Sequence, residues 1–178
     1  MSARRITLLQ VRRAIGPAHC ARALVAGRAI PCVIGRAGMR PAALKREGDG
    51  TTPMGRFRVV RIWRRADRWR SPAALWLERR IARDDGWCET PDDRRYNRPV
   101  KLEPSALHDR LWRDDRLYDL VIEIDHNRVP RIRGRGSAVF LHLCRPERTG
   151  TAGCVAFDPG ALAKLLPALA RQVILDIK

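Results

Sequence analysis

Between Phe140 and Phe157 the chain reads FLHLCRPERTGTAGCVAF, and this stretch holds the residues best suited to chemistry. Two apolar runs, Ser137–Cys144 and Gly153–Phe157, carry His142 and Cys154, with a polar turn segment of Arg, Pro, Glu, Thr and Gly between them. The pattern predicts a strand, a loop and a second strand presenting a base and a nucleophile. A thiol attacks as its thiolate, and an imidazole within hydrogen-bond reach can hold it in that form near neutral pH. Gly153 lets the backbone turn tightly, which would aim the N–H groups of Gly153 and Cys154 at a carbonyl oxygen under attack. The chemistry is acyl transfer through a thioester, which needs no metal or organic cofactor. Alternation along the first strand puts Ala138, Phe140, His142 and Cys144 on one face and Val139, Leu141 and Leu143 on the other. Both faces are apolar, so the strand is expected to be central and His142 poorly solvated. Cys144 shares the face of His142 but lacks an adjacent nest of amides, and reads as core packing. A zinc site built from His142, Cys144 and Cys154 has no CxxC or HxxxH spacing to support it.

With these residues in place, His142 followed by a loop and then Thr151-Ala152-Gly153-Cys154 resembles the signature of the YkuD-type L,D-transpeptidases, where a His precedes an S/T-x-G-C motif. Upstream, Thr52-Pro53-Met54-Gly55-Arg56-Phe57 is similar to the TPxGxF stretch that leads into a core strand of that family. The chain departs from the pattern in having Leu143 after the His, a short loop, Ala152 before Gly153, and Ala156 where the family often carries Arg or Asn. The resemblance implies a YkuD-like β-sandwich or barrel catalytic domain acting on peptidoglycan stem peptides. It implies that Cys154 attacks the carbonyl of an L-centred residue, that His142 serves as base and then acid, and that a backbone carbonyl such as that of Leu143 orients the imidazole. An amine of a second stem peptide would resolve the thioester and make a cross-link; water as acceptor would make a carboxypeptidase. It also implies a place in the periplasm or cell envelope.

A chain of 178 residues with 45% apolar and 31% charged content suits a single globular domain with a core of its own, and a monomer is expected. The net charge of +17 comes from 36 Lys and Arg spread along the chain, which favours a polyanionic partner such as a nucleic acid, an anionic membrane surface or a carboxylate-rich wall polymer. Five cysteines, Cys20, Cys32, Cys88, Cys144 and Cys154, form no disulfide framework. No apolar run approaches the length of a transmembrane helix, and Ile6–Val11 is interrupted by Arg12 and Arg13 rather than continuing as a secretory core.

The supporting elements are mostly short strands: Ile6–Arg12, Ala23–Val25, Ile30–Ile34, Arg58–Trp63, Tyr118–Ile124, Val129–Arg133 and a half-buried edge strand Gln172–Ile177. His19 and Cys20 fall in a turn expected to be exposed, and His126 in Asp125-His126-Asn127-Arg128 reads as a solvated turn residue. One short helix is expected over Leu102–Trp112, with His108 exposed or structural. Another begins after Asp158 as N-cap and Pro159 at its first position, with Leu162, Leu165, Leu166 and Leu169 on one face. The sum is a mainly β domain with one or two helices. From Asp84 to Val100 apolar residues are few, and a connection of that length reads as a binding loop or lid. By resemblance to the lid over the site in that family, Trp87, Tyr96, Asn97 and Arg98 on it are the predicted substrate contacts, the alternative being a loop pinned to the domain by its aromatics; Arg133 and Arg135, beside Gly134 and Gly136, are available near the cleft. Trp63, Trp69 and Trp76 interleaved with Arg64, Arg65, Arg68 and Arg70 offer the best local case for stacking on nucleic-acid bases, although no recognition-module signature accompanies them.

Overall fold

In the computed structural model, which describes residues 5–70, 78–103 and 108–178, the β content follows from the short apolar runs that turn residues separate. Strands β1 (Ile6–Arg13), β2 (Cys20–Val25) and β3 (Arg28–Val33) pair antiparallel in sequence. The β2–β3 turn is Ala26-Gly27, both at positive φ, the geometry whose twist matches the flanking strands. After β4 (Met39–Pro41), the long β5 (Thr52–Arg64) runs antiparallel to β13 (Leu169–Ile177) over one part of its length and to β10 (Leu120–Ile124) over another. β11 (Phe140–Leu143) lies between β10 and β12 (Val155–Phe157), and β12 pairs with β3. The order β10-β11-β12-β3-β2-β1-β13-β5, with β5 pairing back to β10, closes the sheet into a barrel-like ring; β4 and β6 (Glu78–Arg80) add to β5 outside that ring. The fold is mainly β, as the sequence predicts.

The barrel is filled by the inward half of each strand's alternation, including Val11, Ala23, Ile62, Ile122, Leu141, Val155, Phe157 and Leu175. Helix α1 (Pro159–Leu165) buries Leu162 and Leu165 against this core, and its N-terminus is capped by Asp158, which accepts from the amides of Gly160 and Ala161 at 2.9 and 3.3 Å. A separate three-stranded sheet, β7 (Asp85–Trp87), β8 (Pro99–Lys101) and β9 (Asp109–Arg110), has β7 at its centre. A second apolar cluster of Trp63, Ile81, Trp87, Leu111, Tyr118, Val121, Ala138, Phe140 and Cys154 joins residues of the barrel strands to Trp87 of this small sheet.

Several expectations are corrected. The C-terminal run is no edge strand: β13 begins at Leu169 and sits between β1 and β5, so that its inward residues are fully buried. Leu169 therefore belongs to the strand and not to the helix, because Pro167 ends helical pairing in a short 3₁₀ turn over Leu166–Ala168. Where a helix was expected over Leu102–Trp112, Asp109–Arg110 forms β9 against β7, tertiary pairing overriding a weak apolar period; Leu107 and Pro104 lie outside the described residues. Val129–Arg133 is a turn and loop. His126 is buried at 6% exposure, with its ring edge-on to Phe57 and Nε2 3.1 Å from the Arg135 carbonyl oxygen, since the turn folds back onto the barrel wall.

Among the described residues of the tryptophan and arginine run, Trp63, Arg64, Arg65 and Trp69 are built into the fold. Trp63 donates its indole N–H to Glu123 at 2.9 Å, Arg65 grips Asp67 with its guanidinium over Trp112, and Arg64 holds Glu78. Trp69 packs partly buried against the barrel core, and Trp76 lies outside the described residues. Trp63, 1% exposed, does not offer its faces to nucleic-acid bases.

Candidate active site

The pleat of β11 and β12 builds the site. The strands run parallel with Leu141 opposite Val155 and His142 opposite Ala156. Since Leu141, Leu143, Val155 and Phe157 point into the barrel, their neighbours His142, Cys154 and Ala156 must point out of it. There they line a cavity of about 320 Å³ with Cys144, Glu89, Asp109, Arg113, Tyr118 and Arg145. Cys144 is thus half-exposed at the cavity wall and not in the core, because the outer face of β11 is covered by the small sheet only in part.

Nδ1 of His142 stands 2.7 Å from the carbonyl oxygen of Leu143. A carbonyl only accepts, so that nitrogen carries the proton and Nε2 keeps its lone pair for proton transfer. Burial drives the imidazole down to about 4, against a weaker opposing effect of the Leu143 bond, which leaves it neutral at pH 7. The Cys154 thiol donates to the Ala138 carbonyl at 3.1 Å and accepts from the Phe140 amide at 3.3 Å. Burial pushes this thiol up to about 12, the Phe140 amide opposing. Burial in a poorly solvated pocket thus favours the neutral form of both the thiol and the imidazole.

The turn ahead of Cys154 is fixed from several sides. Thr151 Oγ1 donates to the Cys154 carbonyl at 2.7 Å and accepts from the Gly153 amide at 3.1 Å. The Gly153 N–H, expected to face an oxyanion, is thus already engaged. Gly153 itself has φ +154°, and a Cβ there would lie 2.9 Å from the Thr51 carbonyl oxygen. Thr52, fully buried, accepts from the Gly35 amide and donates to the Gly153 carbonyl, each at 2.8 Å. The TPMGRF segment, through Thr52, is thereby the buttress of the turn that precedes Cys154, which gives its resemblance a physical reason.

The six predicted substrate contacts are not among the residues that line the cavity. Trp87 is buried, with its ring edge-on to Phe140 and its N–H on Asn97 Oδ1 at 3.0 Å. Asn97 also accepts from the Ala138 amide at 3.2 Å and donates to the carbonyls of His126 and Asn127, tying the lid loop to the catalytic strand. Tyr96 is buried and donates its hydroxyl to Glu47, which also accepts from Ser137. Arg98 is exposed away from the cavity, Arg133 faces Asp92 at 3.7 Å, and Arg135 donates to the Ala43 carbonyl. The reason is common to the aromatic and amide side chains: a polar loop needs its own pins, and these residues are the pins.

Sequence reading missed Glu89, Asp109, Arg113, Tyr118 and Arg145, whose only signal was their polarity in a segment of weak period. Asp109 accepts from Tyr118 at 2.9 Å and from Arg113 at 3.2 Å, and burial raises its carboxyl above the usual range. Glu89 is raised to about 7, first by burial and then by the charge of Asp109. Arg113 and the half-exposed Arg145 bring guanidinium groups to the same cavity, with Asp115 holding Arg113 through Nε and Nη2.

A family model described as the L,D-transpeptidase catalytic domain, YkuD, matches residues 22–174. The chain belongs to the YkuD family. The match runs from β2 into β13 and so includes the TPMGRF segment, His142 and Cys154. Comparison with curated proteins gave no match. YkuD domains act on peptidoglycan and are typically associated with the cell envelope. Among the described residues no helix is long and apolar enough to cross a membrane.

Proposed function

We propose that this chain is a peptidoglycan L,D-transpeptidase with Cys154 as nucleophile and His142 as general base. The observation that carries the reading is the placing of both residues on one face of two parallel strands, over a polar cavity, with the imidazole tautomer set by Leu143. As substrate enters, Nε2 takes the thiol proton while sulfur bonds to the carbonyl carbon of an L-centred stem-peptide residue. The oxyanion is met by the Cys154 amide. Collapse breaks the C–N bond, the departing amine takes the proton from His142, and a thioester remains. An acceptor amine then attacks, passes its proton through Nε2, and releases the thiol.

Charge in the cavity suits both partners of that exchange. Arg113 and Arg145 complement a stem-peptide carboxylate, supplying from other elements the cation that Ala156 lacks. Glu89 and Asp109 complement an acceptor ammonium, and Glu89, which ionises near neutral pH, is placed to take its proton. A basic chain of net charge +17 suits an acidic wall polymer and a location in the cell envelope.

Intact-protein mass after incubation with a carbapenem tests the nucleophile. A covalent adduct present in wild type and in Cys144→Ala, and absent in Cys154→Ala, is expected. An adduct that survives Cys154→Ala sinks the assignment. Muropeptide products then separate an amine acceptor from water.

A further inference from the structure

Away from the catalytic cavity, Cys88, Asp93 and His108 present one ligand atom each within 4.8 Å of one another. They come from separate segments of the small sheet region: Cys88 follows β7, Asp93 lies in the loop toward β8, and His108 precedes β9. We propose that these three side chains bind a divalent transition-metal ion of the zinc type. A thiol, an imidazole and a carboxylate are the donor set such an ion takes, and three protein ligands leave a position for water.

The backbone holds the ligands in place. Cys88 exchanges bonds with the strand opposite, its N–H donating to the Arg98 carbonyl at 2.9 Å and its carbonyl accepting from Asn97 at 2.8 Å. Asp93 is fixed by its N–H on the Thr90 carbonyl, and its carboxylate accepts from the Arg95 amide, Nε and Nη2. Arg95 thus stands as the outer partner that orients a ligating carboxylate. Nδ1 of His108 is buried without a hydrogen-bond partner, so the ring is not committed through that atom. Binding would displace the Cys88 thiol proton to solvent, form a metal–sulfur bond, and leave a site in which two anionic ligands offset the ion's charge.

The consequence reaches the active site through chain neighbours. Glu89 and Asp109, next in sequence to Cys88 and His108, line the catalytic cavity. An ion at the proposed site would fasten the loop and β9 together and hold those carboxyls at the cavity wall.

Cobalt(II) alone, titrated into the purified full chain, is the test. One equivalent is expected to produce a sulfur-to-cobalt charge-transfer band and tetrahedral visible bands. Both should be lost in Cys88→Ser, weakened at least about tenfold in affinity in His108→Ala and Asp93→Asn, and kept in Cys144→Ser and Cys154→Ser. Zinc should bleach the bands and raise the melting temperature of wild type but not of His108→Ala. Because Cys88 is fully buried, the two less deeply buried ligands guard against a variant that does not fold. No charge-transfer band at stoichiometric cobalt, or a band that survives His108→Ala unchanged or disappears in Cys144→Ser, overturns the proposal.

Discussion

The two faces of the β11–β12 pair differ in everything except their backbone. Leu141, Leu143, Val155 and Phe157 face the barrel and are 4% exposed or less, and nothing about them needs to be anything but apolar and well packed. On the opposite face Phe140 and Cys154 pack with Trp87 of the small sheet, and His142, Cys154 and Ala156 line the cavity. The inner face supplies the rigidity that fixes the outer one to within the tolerance chemistry demands. A one-residue slip of either strand would exchange the faces, so the hydrophobic pattern that stabilises the fold also specifies the site.

The largest effect expected from breaking this contrast is at Cys154. Cys154→Ala should lower acyl transfer by about 10³-fold or more while leaving the thermal transition close to wild type. On the opposite face, Leu141→Ala should do the reverse, costing about 2–5 kcal/mol in urea unfolding through the cavity it leaves, with carbapenem acylation retained below the transition.

Asn97 lies between the two kinds of residue. Asn97→Ala strands the Trp87 indole N–H and the Ala138 amide in a buried place, at about 2 kcal/mol or more of stability. If Asn97 instead bound substrate, a raised KM with unchanged unfolding would be seen. Thr52→Val probes the buttress: loss of its bonds to Gly35 and Gly153 should cost about 1–2 kcal/mol and slow acylation with little change in substrate affinity.

The finest distinction concerns the resting protonation state. With the thiol raised to about 12, its thiolate fraction climbs about tenfold per pH unit between pH 7 and 10, and alkylation of Cys154 by iodoacetamide should climb with it. A thiolate held by a protonated His142 would give a rate that is flat across that range. Measuring the profile by peptide mass decides between them.

His142, Cys154 and the strands that carry them were legible because alternation and turn residues are local signals. His142 and Cys154 needed only a period of two and a glycine to be placed. The loop was legible only as a choice: Trp87, Tyr96 and Asn97 could bind a ligand or pin the loop, since aromatic and amide side chains on a polar loop look alike in either role. Asp109 and Arg113 carried no periodic signal at all, and β9 forms only because β7 is there to pair with it.

By itself the sequence determined which residue types are available, where the chain extends and turns, and which side of each strand is apolar. Those follow from short-range sterics and from the free energy of removing apolar surface from water. Only the tertiary structure decided that β13 is central, that His126 is buried, which charges reach the cavity, and that burial penalises the charged forms of the Cys154 thiol and the His142 imidazole. Such properties depend on what is brought alongside from distant parts of the chain, since solvation and ion pairing act through space and not along the sequence.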